Sequence, residues 1–177
     1  ALCSDGQSST VTNTDLIEEF NGTSWTETTE NNTARRHLQG AGANAEAALI
    51  FGGVISSSPF SATAEKWDGS SWTEVGDLNQ GRLRGASFGS STSALLAGGT
   101  NADPVANVNT VETWDGSSWS ETTEINTSRV DLISHGSGTD STSGIIFGGD
   151  TGSLTANTES WDGSSWTEVA NLSTAFE

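Results

Sequence analysis

Methionine and tyrosine are absent from this chain of 177 residues, and cysteine occurs once, at Cys3. A single thiol excludes an intrachain disulfide and a multi-cysteine metal site. Basic residues are scarce: 6 Lys and Arg stand against 23 Asp and Glu, for a formal net charge of −17. A nucleic-acid surface needs clustered positive charge, so nucleic acid is excluded as a partner, and an anionic membrane surface is disfavoured on the same ground. No apolar run is long enough to span a bilayer. No signal peptide is visible at Ala1 and no initiator methionine stands there, which suggests a processed product or a piece of something longer. Only 2 prolines are present, and apolar residues make up 32%, which is low for a globular chain.

The residues that are plentiful tell against disorder. Seven Trp and six Phe are too many for a disordered acidic chain. With 21 Gly and abundant Ser and Thr, they suit short strands joined by tight turns. The carboxylate excess favours solubility and is best tolerated where salt screens repulsion, as in a saline extracellular setting.

A strict period organises the chain. Trp25, Trp72, Trp119 and Trp166 are each 47 residues apart, as are Phe20, Trp67, Trp114 and Trp161. Glu18, Glu65, Glu112 and Glu159 keep the same spacing, and so do Arg35, Arg82 and Arg129, whose next equivalent is Phe176. Upstream of each tryptophan block lies an apolar run closed by Gly-Gly, ending at Gly53, Gly99 and Gly149. A repeat of this length predicts four short strands per unit. In the third repeat they are expected at 84–89, in the run before Gly99, at 109–114 and at 118–123. The repeats run at about 1–33 (partial), 34–80, 81–127 and 128–174 within one domain spanning 1–177.

Three features resemble the kelch family of β-propellers: Gly-Gly after an apolar strand, an aromatic ending the third strand, and a Trp in the fourth. The resemblance implies an all-β propeller of four-stranded antiparallel sheets, about four blades in this chain. The third-strand aromatic, Tyr in that family, is Trp or Phe here. The wording "WDGSSWTEV…LN…R…FGG" also resembles kelch-like repeats of phage and environmental-virus structural proteins. Copper-oxidase and sialidase enzymes use propellers too, but both need a tyrosine that this chain lacks.

"WDGSSW" reads as a hairpin. In the Gly-Ser register of a type II′ turn, Trp67 and Trp72 face each other across the strands. Repetition in every unit makes the indoles packing elements rather than a sugar platform. Glu65 shares their face and needs a partner there, for which Arg82 and Arg129, one per repeat, are the candidates. Calcium held by these glutamates and the turn aspartates is the weaker alternative, since each turn supplies one carboxylate. The Gly-Gly pairs precede loops and not helices, so close backbone approach explains them better than phosphate binding.

No catalytic constellation is legible. His37 and His135 occupy non-equivalent repeat positions and read as surface residues, and Cys3 replaces an apolar strand residue. Asn21, Asn31, Asn126 and Asn171 head Asn-x-Ser/Thr triplets that matter only in a eukaryotic host. The chain is therefore expected to be non-enzymatic, with no cofactor and no metal. The segments that vary, 56–63, 100–109 and 150–157, are expected to form one recognition face, with Ser57, Phe60, Asn101, Asp103, Asn107, Asp150 and Thr155 as candidate contacts. The expected role is an extracellular structural or receptor-binding module, such as a phage or virus surface or tail appendage. Its expected partners are other virion or surface proteins, copies of itself or a cell-surface glycan. A lectin using Phe60 is the alternative. Ring closure stays open at this stage. Four units could close through a short strand at 174–177, or the ring could be longer or completed by another copy.

Overall fold

The computed structural model describes residues 2–7, 13–55, 59–102, 105–132 and 136–175, and for 3–7 the backbone alone. Cys3's side chain, Ser57, Asp103, His135 and Phe176 lie outside the described residues. Every described element is a strand, and the sheets are antiparallel. The first sheet contains β1 (Leu2–Gln7), β2 (Asn13–Phe20) and β3 (Trp25–Glu27). The second is β4 (Gln39–Asn44), β5 (Ala47–Phe51), β6 (Ala64–Trp67) and β7 (Trp72–Val75). After β8 (Arg82–Leu83), the third begins with β9 (Ala86–Ser90) and β10 (Ser93–Ala97). It resumes after β11 (Thr100–Ala102) and β12 (Val105–Asn107), with β13 (Val111–Trp114) and β14 (Trp119–Thr122). The fourth is β15 (Gly136–Asp140), β16 (Ser143–Phe147), β17 (Thr158–Trp161) and β18 (Trp166–Glu168).

The third and fourth strands of the third repeat, expected at 109–114 and 118–123, are shorter, Val111–Trp114 and Trp119–Thr122, and two larger departures stand beside them. The first strand of the third repeat starts at Ala86, because Arg84 takes a left-handed φ of 58° that a strand cannot hold. Segment 100–109 is not a plain loop: β11 pairs with β12 on one side and with β8 on the other in a small extra sheet. The first strands lie in a row, β4 against β9 and β9 against β15. The described strands form no closed ring, since the first sheet enters that row without a first strand of its own.

Each tryptophan hairpin follows from its turn. Trp67 is directly opposite Trp72, Trp114 opposite Trp119, and Trp161 opposite Trp166. Gly69, Gly116 and Gly163 take φ of 95°, 99° and 94° at the first central turn position, and the following serines do not, which is the type II′ signature. The preceding aspartate caps the turn. Asp68 Oδ1 accepts from the backbone N–H of Ser70 and of Ser71, both at 2.8 Å, and Asp115 and Asp162 repeat this. These bonds, with those from the turn serines' hydroxyls, of which Ser164's is the largest influence on Asp162, hold all three carboxyls down to about 2.

Every indole pair packs on the sheet before its own. Ile17 of the first sheet meets Trp67 and Trp72, Leu49 and Phe51 of the second meet Trp114 and Trp119, and Leu95 of the third meets Trp161 and Trp166. Burying one indole contributes on the order of 4–6 kcal/mol by area. The indole N–H groups of Trp67, Trp72, Trp114, Trp161 and Trp166 are also anchored, Trp67 to Ala45 O at 2.9 Å and Trp72 to Thr29 O at 3.1 Å, for example, whereas the buried Trp119 Nε1 has no partner among the described residues.

A buried polar clasp fixes the register between sheets. Arg35 donates to Glu65 Oε1, Arg82 to Glu112 Oε1 at 2.8 Å, and Arg129 to Glu159 Oε1. Each arginine precedes its glutamate by 30 residues, so Glu65 is held by Arg35 and not by the arginines further along. All six side chains are at most 1% exposed. The other carboxylate oxygen accepts from an asparagine's backbone N–H and side-chain amide: Asn32 to Glu65 at 2.7 and 2.9 Å, Asn79 to Glu112 at 2.7 and 2.8 Å, Asn126 to Glu159 at 2.9 and 2.6 Å. The arginines also reach backbone carbonyls, as Arg35 does to Thr63 O at 2.8 Å. Glu18 is the exception: it is exposed, and among the described residues no arginine or asparagine reaches it.

Breaking one clasp leaves a buried, unpaired carboxylate. Arg82→Met is expected to cost about 3–5 kcal/mol in urea unfolding, and adding Glu112→Leu is expected to restore most of it. The turn aspartates give a separate acid signature. Their folded pKa is depressed, so the stability they contribute is complete above the ordinary 3.8 and is lost as pH falls toward about 2. NMR titration of the carboxyl carbons is expected to show Asp68, Asp115 and Asp162 with midpoints near 2.

Candidate recognition face

The Gly-Gly pairs deliver the chain to one end of the sheets. Gly53 and Gly99 take φ of 85° and 100°, and a Cβ on either would lie 2.6 Å from a backbone carbonyl, Arg36 O or Leu83 O. Only glycine permits that approach. Gly149 stands the same way against Val130 O, at 2.7 Å. The next residue then pairs with a clasp linker: Val54 with Arg36, Thr100 with Leu83, and Asp150 with Val130. Positions 36, 83 and 130 keep the 47-residue period, so each variable segment rises from the same root.

The candidate contacts distribute unevenly over this end. Asn107 donates to Asp150 O at 3.2 Å, tying one variable segment to the root of the next. Asn13, five residues before Glu18 as Asn107 is before Glu112, makes the matching tie to Val54 O and Ile55 O, each at 2.8 Å. Asn101 caps its own hairpin by accepting from Ala106 N–H at 3.2 Å. Thr155 Oγ1 accepts from Asn157 N–H at 3.1 Å, and its own N–H donates to Gly149 O at 2.9 Å. Phe60 is half-buried rather than presented as an open aromatic platform. Asn107 and Asp150 are thus brought together, while Asn101 and Thr155 serve their own segments.

Sequence reasoning missed the apolar tips. Val105 is 73% exposed, Leu154 48% and Ile55 43%; Val105 and Leu154 lie in variable segments, and Ile55 directly precedes one. Their place just beyond each Gly-Gly was the available signal. It also missed a second set. His37, Arg84 and Asp131 have left-handed φ of 55°, 58° and 56°, the non-glycine positive-φ residues among those described. Such conformations are sterically unfavourable for L-residues and gather at functional or tightly constrained places. They stand 47 apart, so His37 does have repeat equivalents, of different chemistry. The three are linked in series: Arg84 N–H approaches His37 O at 3.5 Å, Leu132 N–H donates to Arg84 O at 3.1 Å, and Arg84 Nη1 pairs with Asp131 Oδ1 at 3.0 Å. Arg36, beside them, donates to Asn13 Oδ1 at 2.6 Å.

Of the Asn-x-Ser/Thr asparagines, Asn31 is 4% exposed and the Asn126 amide is bound to Glu159, whereas Asn21 and Asn171 are exposed. No group of three or more His, Cys, Asp or Glu side chains that could hold a metal occurs among the described residues.

No family model and no curated protein matches the chain. Among solved structures, the one described as the structure of YjhT is similar over 88% of this chain, with a TM-score of 0.72 and 13% sequence identity. The match covers 52% of that protein, so this chain spans about half its length.

The basic cluster makes a testable electrostatic statement. Burial lowers the His37 pKa from the ordinary 6.5, Arg84 and Arg36 lower it further, and Asp131 opposes them. Stability is therefore expected to be full above 6.5 and to decline as pH falls below it toward the folded value. His37→Gln is expected to flatten that decline, read from urea midpoints between pH 7.5 and 5. Asp131→Asn is expected to move the His37 NMR titration to still lower pH. The likeness to the YjhT structure, at 13% identity, is one of architecture alone.

Proposed function

We propose that the chain is a non-enzymatic, kelch-like β-propeller unit of about four blades that recognises a protein receptor or a neighbouring surface protein through the variable segments after each Gly-Gly. The setting proposed is extracellular, on a phage or virus surface or tail appendage. The observation that carries this reading is the crown of Ile55, Val105 and Leu154, exposed on roots that are all pinned the same way. A fixed base with chemically different tips is a common arrangement for binding surfaces.

Two further features support it. The repeat's own chemistry is committed to holding sheets together: its arginines and glutamates are buried in pairs, and its indoles are packed. The crown is aliphatic, which fits a protein surface better than a glycan, whose faces stack on aromatic rings. The net charge of −17 favours solubility outside the cell and a partner without strong negative charge.

The test is binding of the fluorescently labelled chain to a panel of intact bacterial and eukaryotic cells and to immobilised surface proteins. Ile55→Asp, Val105→Asp and Leu154→Asp together are expected to weaken the binding by at least about tenfold, by removing an apolar contact centre. These residues are exposed, so the thermal midpoint is expected to stay within a few degrees. Unchanged binding by the triple variant would sink the reading.

A further inference from the structure

The four tryptophan hairpins share one sequence pattern but not one environment. Trp72, Trp119 and Trp166 are 6–7% exposed, whereas Trp25 is 50% exposed. Glu65, Glu112 and Glu159 are at most 1% exposed, whereas Glu18 is open to solvent. Leu16, on the same strand as Glu18, is 47% exposed. The Phe20–Trp25 pair nevertheless has the geometry of the covered pairs, with ring centroids 5.2 Å apart against 5.3 Å for Trp67–Trp72. The first hairpin is thus preformed for a cover that no described residue provides.

The covered hairpins define what that cover is. Each receives a linker of the form Asn-x-x-Arg: Asn32 and Arg35, Asn79 and Arg82, Asn126 and Arg129. Each linker runs directly into a first strand, β4, β9 or β15, which pairs with the second strand of its sheet. In the first sheet the corresponding second strand is β1, which pairs with β2 alone among the described strands. Beside β1 lies a cleft of about 460 Å³ with Leu2 on one side and the Gly40–Asn44 backbone of β4 on the other. In the neighbouring sheets that space, against β4 or β9, holds a first strand. An open strand edge beside a cleft whose β4 wall includes Gly40, Ala41, Gly42 and Ala43 is suited to strand addition.

We infer that this surface is a docking site for a repeat segment from outside this chain, one that carries Asn-x-x-Arg followed by a short strand of small residues. Its arginine bonds Glu18, its asparagine bonds the other Glu18 oxygen, and its strand adds to the free edge of β1. Charge complementarity selects this occupant. Of the 5 arginines, Arg35, Arg82 and Arg129 are already buried in clasps, Arg84 pairs with Asp131 and Arg36 bonds Asn13, so the occupant brings its own arginine. A second copy of this chain does not qualify. Its last repeat has Ser173 where the others have asparagine and Phe176 where they have arginine. Covering Glu18 with that segment would bury a carboxylate with no arginine to pair it. This inference rests on the repeat geometry and not on the loop-face reading, which is tested on different residues.

The probe is a fluorescein-labelled peptide with the sequence of Asn79–Ser90, "NQGRLRGASFGS", added to the full chain and followed by anisotropy and by the Trp25 indole NMR signal. Saturable binding is expected, with the Trp25 signal shifted. Glu18→Arg is expected to weaken binding at least about tenfold, as truncating one partner of a buried charge pair does. A peptide with alanine in place of the first arginine is expected to lose binding equally. Glu18 is exposed, so an unchanged thermal midpoint will show that the variant is folded. No saturable binding to the folded wild-type chain would overturn the inference. So would equal binding by Glu18→Arg. Self-association of the wild-type chain that is abolished by Trp25→Asp would overturn it as well, because the occupant would then be a second copy.

Discussion

A carboxylate sealed between two sheets has to be matched by donors on both its oxygens, and most of this architecture can be read as the means of supplying them. In each covered interface one glutamate oxygen takes an arginine and the other takes an asparagine amide and backbone N–H. The linker between sheets must therefore cross the indole pair at one height, because its asparagine and arginine are three residues apart and both reach the same carboxylate. The indoles supply the larger burial energy, but apolar contact is non-directional. The clasp supplies the direction: a slip of one residue would leave a charge buried and unpaired, costing about 3–5 kcal/mol. Repeating the same interface three times turns a weakly apolar sequence into a stack with one register.

The parts of this design governed by local rules were legible in the sequence. Asp-Gly-Ser-Ser between two tryptophans fixes a turn and places the rings opposite each other, since strand periodicity is two. The pairing of glutamate with arginine was legible in kind but not in partner. One arginine per glutamate follows from counting, whereas the choice of Arg35 for Glu65 depends on how the linker crosses to the next sheet, which no local rule sets. His37, Arg84 and Asp131 illustrate another limit. Their shared left-handed backbone is a property of the repeat, but their side chains have nothing in common, so a reading by residue type separates what the chain path unites. The exposure of Trp25 was hidden for the opposite reason: its sequence environment matches its equivalents, and its difference lies in what is packed above it.

Charge distribution sharpens the contrast between interior and surface. Half of the 6 basic residues lie inside clasps, so the solvent-facing surface carries few cations against its many carboxylates. Arg36 and Arg84 then matter more than their number suggests, because both stand at the end where the variable segments emerge. There they meet Asn13 and Asp131, and Arg84 and Asp131 join neighbouring repeats by their side chains. The basic groups that remain outside the interior are thus partly used to brace the end where the variable segments emerge.

That bracing bears on how the variable segments can differ without loss of fold. Each variable segment begins at a Gly-Gly whose backbone approach tolerates no side chain, and each is paired at once to a linker position that keeps the repeat period. Beyond the root the constraints relax: one segment forms a hairpin, another carries the single Asp150–Leu154 bridge, and their apolar tips differ. A substitution at a tip removes contacts with solvent or a partner, whereas one at the root disturbs the linker that holds the clasp. Because root and clasp lie on the same short linker, Arg35 beside Arg36 and Arg82 beside Leu83, sheet stacking and loop placement are set by one segment. The segments can therefore change chemistry independently at their tips while their spacing across the face stays constant.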